Sequence, residues 1–221
     1  MGWKCCTFRQ TGPGLSGILN MRAFVVNGLC FLLLLCASCS SPDYAPKPKG
    51  YFNIKFPKKE YRVYHSGCAF SFDYPVYAQI EADQENVKND SEKDGGGCWS
   101  NMNFPRFNAR LHLTYYGVSS VKEYNNLVED ARTLAFKHTV KANAIDQKLI
   151  SYPERKVYGV YYAIEGNTAS SVQFFLTDSA KNYFRGALYF NERPQYDSIA
   201  PVLSFIKKDI DRMIQSFSWK N

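Results

Sequence analysis

K-V-Y-G-V-Y-Y-A-I-E-G-N-T-A-S-S-V-Q-F-F-L-T-D-S-A-K-N-Y-F-R-G-A-L-Y-F, residues Lys156–Phe190, decides the fold. Two turn signals divide it into three strands, Lys156–Glu165, Thr168–Thr177 and Asn182–Phe190. Gly166-Asn167 is a tight hairpin signal, and Asp178–Lys181 supplies the second turn. Connections this short join antiparallel neighbours, so the segment reads as a β-meander. Strands 156–165 and 182–190 carry apolar or aromatic residues on both faces, the pattern of central strands covered on two sides.

Helices flank the meander. On its N-terminal side, Val121 to about Lys141 places Tyr124, Leu127, Val128, Ala131, Leu134, Ala135 and His138 on one stripe, with Ser120 and Glu123 as a capping box. On its C-terminal side a second helix begins near Ser198, with Pro201 in its first turn, and buries Ile199, Val202, Leu203, Ile206, Ile210, Met213, Ile214 and Phe217. Further upstream, side chains alternate over Tyr51–Phe56, Tyr61–Tyr64, Ala69–Tyr74 and Ala109–Tyr116, which is strand periodicity. Strands, helix, meander, helix is an α+β order: an antiparallel sheet with a meander and two long helices packed on it. The trailing Ser216-Phe217 resembles the end of PsbP/Mog1-type domains. Asp83–Gly97, D-Q-E-N-V-K-N-D-S-E-K-D-G-G-G, has one apolar residue and reads as a mobile, solvated loop.

The N-terminus has a different character. Leu29–Ala37, L-C-F-L-L-L-L-C-A, is too short to span a bilayer but fits the apolar region of an export signal. Ala37-Ser38 then leads into Cys39, resembling the lipobox of bacterial lipoproteins, although Cys36 stands where Leu is usual. A start at Met21 gives a compact signal with one charge. The expected organisation is a signal peptide at 1–38, a lipidated Cys39 with a Pro-rich tether over 39–50, and one globular domain over 51–221.

Cysteine usage agrees. Of seven cysteines, Cys5, Cys6, Cys30 and Cys36 precede the cleavage site and Cys39 carries the lipid. Cys68 and Cys98 remain, in an oxidising compartment, and form the expected disulfide, worth roughly 3–4 kcal/mol by loop entropy. A metal site built from these cysteines and His65 is the competing reading, but it lacks a close-spaced ligand pair.

The formal charge of +7 suggests nucleic acid only at first sight. Lys4, Arg9 and Arg22 lie in the signal, so the mature part carries 24 basic against 20 acidic residues. Its densest basic cluster, Lys47, Lys49, Lys55, Lys58 and Lys59, sits beside the membrane attachment, where anionic head groups explain it. There is no Gly-rich phosphate loop, G-x-S-x-G elbow or H-E-x-x-H. Ser170, His112 and Asp178, or Asp73 with Glu165, can be combined on paper, as in any chain of this size. His112 shares its strand face with Arg110 and Thr114. No catalytic residue, cofactor, metal or nucleic acid is expected.

Several blocks together resemble one family. They are P-K-P-K-G-Y-F-N-I-K-F-P at 46–57, C-A-F-S-F-D-Y-P at 68–75, C-W at 98–99, F-K-H-T-V-K-A at 136–142, K-V-Y-G-V at 156–160, G-N-T-A-S-S-V-Q-F-F-L-T-D-S at 166–179 and F-R-G-A-L-Y-F at 184–190. In this order they look like GldD, the gliding-motility lipoproteins of Bacteroidota, apart from a longer loop at 84–97. The resemblance implies a non-enzymatic envelope lipoprotein, facing the periplasm, required for gliding and tied to type IX secretion proteins as partners. The rival is a lipid-anchored small-ligand binder or hydrolase, which would need a pocket with converging polar groups. For a partner contact the candidate is the polar row Asn167, Thr168, Ser170, Ser171 and Gln173 on a Phe-rich hairpin; the alternative is that these residues only close the hairpin.

Cys39→Ala is expected to abolish palmitate labelling and release the domain from membranes. A variant that still labels and fractionates with membranes overturns the lipidation.

Overall fold

A computed structural model describes residues 53–83, 98–191 and 195–220. The expected signal peptide, Cys39, the tether and nearly all of the loop at 83–97 lie outside these residues. The described chain runs β1 (Tyr61–His65), β2 (Phe70–Pro75), β3 (Gln79–Ala82), β4 (Cys98–Phe104), β5 (Ala109–Gly117), α1 (Val121–Phe136), β6 (Ala142–Tyr152), β7 (Val157–Gly166), β8 (Ser170–Thr177), β9 (Asn182–Phe190), α2 (Tyr196–Ser216) and β10 (Ser218–Trp219). Every strand pairing is antiparallel. Seven strands form one sheet in the order β3-β4-β5-β9-β8-β7-β6, and β1-β2-β10 form a second. This is the α+β architecture that the meander and its flanking helices imply.

The meander holds together through its turns. Gly166 takes φ of 111°, which glycine enters without a Cβ clash. In the β8–β9 turn the Asp178 carboxylate accepts the backbone N–H groups of Ala180, Lys181 and Asn182. Hydrogen bonding there holds the Asp178 carboxyl below its ordinary pKa, against the opposing effect of burial. At α1 the expected capping box forms with its return bond shifted by one residue: Ser120 Oγ accepts from Glu123 N at 3.2 Å, and the Glu123 carboxylate accepts from Ser119 N at 2.8 Å, one position before the cap.

All eight residues of β8 are buried. Val172, Phe174 and Leu176 point into the main core, which α2 and the second sheet close from above. Phe175 points the other way and packs with Tyr162, Tyr183, Ala131 and Ala135 beneath α1. The main core is knitted by rings: Phe217, fully buried directly after α2, lies 5.0 Å from Phe184, 5.8 Å from Phe70 and 4.7 Å from Trp219. One residue therefore ties α2, β2, β9 and β10 together.

Four expectations need correction. The meander has a fourth strand, β6, whose apolar period is weak because it is the exposed edge of the sheet: only Ile150 is buried. Strands β3 and β4 lie on either side of the expected loop, where polar residues alternate with Met102 and Phe104. The described part of the strand expected over 51–56 joins no sheet; residues 53–60 run as an unpaired segment. Helix α2 starts at Tyr196, so Pro201 stands inside it, past the first turn.

Gly186 is a packing constraint. On the core face it lies opposite Phe174, whose ring covers it, and a Cβ there would sit 2.2 Å from Phe174 Cζ. Gly186→Ala is expected to displace that ring and cost about 1–3 kcal/mol, the range for overpacking a core. Chemical denaturation would show it as a lower midpoint at unchanged slope; an unchanged midpoint refutes the account.

Candidate functional site

The structure moves the expected contact row into the interior. Thr168, Ser170, Ser171 and Gln173 are each at most 3% exposed, so no partner can touch them in this fold. Three of them are satisfied by side-chain hydrogen bonds within the sheet and its turn. Thr168 Oγ1 donates to the Ser170 carbonyl at 3.0 Å, Ser170 Oγ donates to the Val172 carbonyl at 3.2 Å, and Gln173 Oε1 accepts from Arg185 Nη2 at 2.8 Å. Asn167 alone is exposed, and its role is structural, because its Oδ1 accepts from Tyr196 N at 2.8 Å and so caps α2 from the hairpin. Four of the five residues of the expected row are therefore interior to the hairpin, and the fifth is engaged with α2.

Cys68 and Cys98 are joined to each other, with Cα atoms 6.6 Å apart, linking the start of β2 to the start of β4. Ser170, His112 and Asp178 form no triad: the Ser170 hydroxyl is engaged within its own strand and Asp178 caps a turn. Asp73 instead pairs with Arg212 at 2.6 Å.

Two polar constellations remain. The first is a clamp around Asp209, whose side chain is only 1% exposed in α2. Its carboxylate accepts from Lys59 Nζ at 2.6 Å, from the Tyr61 hydroxyl at 2.9 Å and from the Tyr77 hydroxyl. The Lys59 ammonium also donates to the Phe205 carbonyl at 2.9 Å and lies 3.5 Å over the Phe205 ring. Phe56 stacks on the same ring at 4.4 Å. Residues 53–60 are thus fastened to α2 by one buried ion pair and one aromatic stack. Burial first, then the hydrogen bond each donates to Asp209, pushes the Tyr61 and Tyr77 phenols above the ordinary tyrosine value.

The second is a cleft of about 290 Å³ on the sheet face that α1 leaves uncovered. Register builds it: Asn101 on β4 pairs with His112 on β5, His112 with Ala187 on β9, and Ala187 with Gln173 on β8. The small Ala187, 1% exposed, is the floor. Trp99, Asn101, His112, Thr114, Arg185 and Tyr189 are among the walls. The His112 ring meets Tyr189 edge-on at 5.3 Å. Burial lowers the His112 pKa, and Arg110 and Arg185 push it the same way against Asp83. Arg185 has one hydrogen bond, to Gln173, and no carboxylate within ion-pair distance among the described residues. Asn101 Nδ2 donates to Asp83 at 3.3 Å, while its Oδ1 is buried without a partner. Sequence reading set His112, Arg110 and Thr114 on one polar side but missed Trp99, Asn101, Arg185 and Tyr189. A charged residue inside the apolar run F-R-G-A-L-Y-F was the available signal.

A larger cleft of about 460 Å³ lies between β6 and α2, but its Asp211 faces Lys148 and Lys207, so its charges are answered within it. Among the described residues no helix is long and apolar enough to cross a membrane.

The described residues form an α+β domain whose N-terminal segment, residues 53–60, is fastened to α2. The profile of the gliding motility lipoprotein GldD family matches residues 41–219, and the chain belongs to that family. As a family member it is a membrane-anchored envelope lipoprotein associated with gliding motility. No curated protein matches the sequence.

Asp209→Ala is expected to lower stability by about 3 kcal/mol, the lower end for breaking a buried pair, because Lys59 is a quarter exposed and can reach water. Hydrogen exchange should rise over 53–61 before it rises in β8. The raised phenols set the alkaline limb: their contribution is intact below the unfolded value of about 10 and is lost as pH climbs through the higher folded values. Unchanged exchange at 53–61 in the variant would remove the clamp.

Proposed function

We propose that this lipoprotein is a non-catalytic accessory of type IX secretion, anchored through Cys39, with its domain in the periplasm holding a protein partner of the gliding apparatus. The observation that carries the reading is the family match, which begins two residues after Cys39 and runs through the tether into the last strand as one unit. The Asp209 clamp supports it. A domain held by a lipid and bound to a partner is pulled at its N-terminal segment, and that segment is fastened where a buried pair and an aromatic stack resist extraction. With Thr168, Ser170, Ser171 and Gln173 buried, the contact we propose lies on other surface.

Deletion of the gene is expected to leave surface adhesins inside the cell, and the tagged protein recovered from membranes should bring type IX secretion components with it. Complementation with Cys39→Ala should fail. Normal adhesin secretion in the deletion strain overturns the link to secretion, and turnover of any small substrate by the purified protein overturns the non-catalytic reading.

A further inference from the structure

The two edges of the large sheet are unequal. Edge strand β3 has four residues, whereas β6 has eleven, and after an irregularity at Ala142/Ala144 its ladder to β7 runs unbroken to Tyr152. Among the described residues no strand meets the other side of β6, and Leu149 stands there 81% exposed. Natural sheets blunt such an edge by shortness, a proline, a bulge or a lysine, because an open edge is a template for another strand. The stretch Ala144–Ile150, A-I-D-Q-K-L-I, has only the lysine, and Asp146 answers it two residues away on the same face. Asp146, Gln147 and Lys148 are exposed, and neither charge is in an ion pair among the described residues. Lys148 lies on the side of Asp211, which also faces Lys207.

We infer that β6 pairs with β6 of a second copy of this chain, antiparallel about a twofold axis through Gln147. Register and charge decide it. Residues directly opposite in an antiparallel ladder must both turn their backbone groups toward the partner or both away, so the axis passes through a residue and never between two. An axis at Asp146 opposes two carboxylates, and one at Lys148 opposes two ammoniums; like charges directly opposite are destabilising. Axes at Ile145 or Leu149 set both charges against uncharged residues. The axis at Gln147 alone among these five sets Asp146 opposite Lys148 of the second copy, twice, and Ile145 opposite its Leu149, twice. The charged pairs lie on the α2 side of the sheet and the apolar pairs on the α1 side. Opposed residues share a face, so both α2 helices lie on one side of the joined sheet. Residues 53–60 are fastened to α2, so both N-terminal segments lie on that side too, as two chains anchored in one membrane require. Anchoring also raises the local concentration at which the edges meet. The pairing is separate from the secretion reading, and either can fail without the other.

The test follows disulfide-linked dimers of the full-length lipoprotein in its membranes, on non-reducing gels. Gln147→Cys is expected to cross-link, because directly opposite Cβ atoms lie about 4.5–5.5 Å apart. Ile145→Cys alone should cross-link far less, since the two thiols then stand four residues apart along the ladder, more than about 13 Å. Ile145→Cys combined with Leu149→Cys should recover the dimer. In the Gln147→Cys background, Asp146→Lys or Lys148→Asp should each lower the yield about tenfold, and the two together should restore it. A strand from another protein would not follow that double exchange, so restoration identifies a second copy. Circular dichroism of each variant in detergent reports that it is folded. No dimer from folded Gln147→Cys overturns the proposal. So does a yield no greater than that of Ile145→Cys, a cross-link to a different protein, or a double exchange that fails to restore pairing.

Discussion

Burial of β8 on both faces constrains everything around it. A strand with eight buried residues requires a layer above and a layer below. Seven strands at about 4.8 Å spacing span roughly 30 Å, whereas one helix with its side chains covers about 10 Å. On the core face the deficit is met by adding the β1-β2-β10 sheet beside α2, and Phe217 locks the two covers together. On the other face, among the described residues, α1 is the element packed over β7, β8 and β9. The strip that α1 does not reach, over β4, β5 and β9, has to face outward, and its residues are polar for that reason. The cleft is what remains when one helix covers a face too wide for it.

The local signals read well because they are local. The hairpin at Gly166, the turn at Asp178 and the capping box at Ser120 are each settled by residues within four positions of one another. The stripe of α1 and the core face of β5 follow from periodicity alone. Strand β6 escaped because periodicity is a record of one-sided burial, and an edge strand with Leu149 81% exposed has little burial to record. The unpaired segment 53–60 was misread for the converse reason. Phe56 is drawn inward by Phe205, which imitates strand alternation without any ladder.

The polar row at 167–173 shows where sequence reasoning about sites loses its grip. Thr, Ser, Ser and Gln signal exposure on average, but the Thr168 and Ser170 hydroxyls satisfy themselves on nearby backbone carbonyls, and Gln173 is met by Arg185 twelve positions away. Once satisfied, such groups are cheap to bury. What separates a surface from an interior here is the pairing of β8 between β7 and β9, which no single strand announces. The cleft was hidden by the same fact. Its members come from β4, β5 and β9, far apart along the chain, and only the register that sets Asn101 beside His112 and His112 beside Ala187 assembles them.

The clamp and the cleft occupy different layers, and this separation matters for a tethered domain. Force entering at residue 53 meets Lys59 and Phe56, passes to α2 through Asp209 and Phe205, and spreads into the main core through Leu203, Ile206 and Ile210, all buried. The opposite face of the large sheet shares no side chain with that path. That face is therefore linked to α2 through the sheet, whose seven strands are joined by one continuous antiparallel ladder.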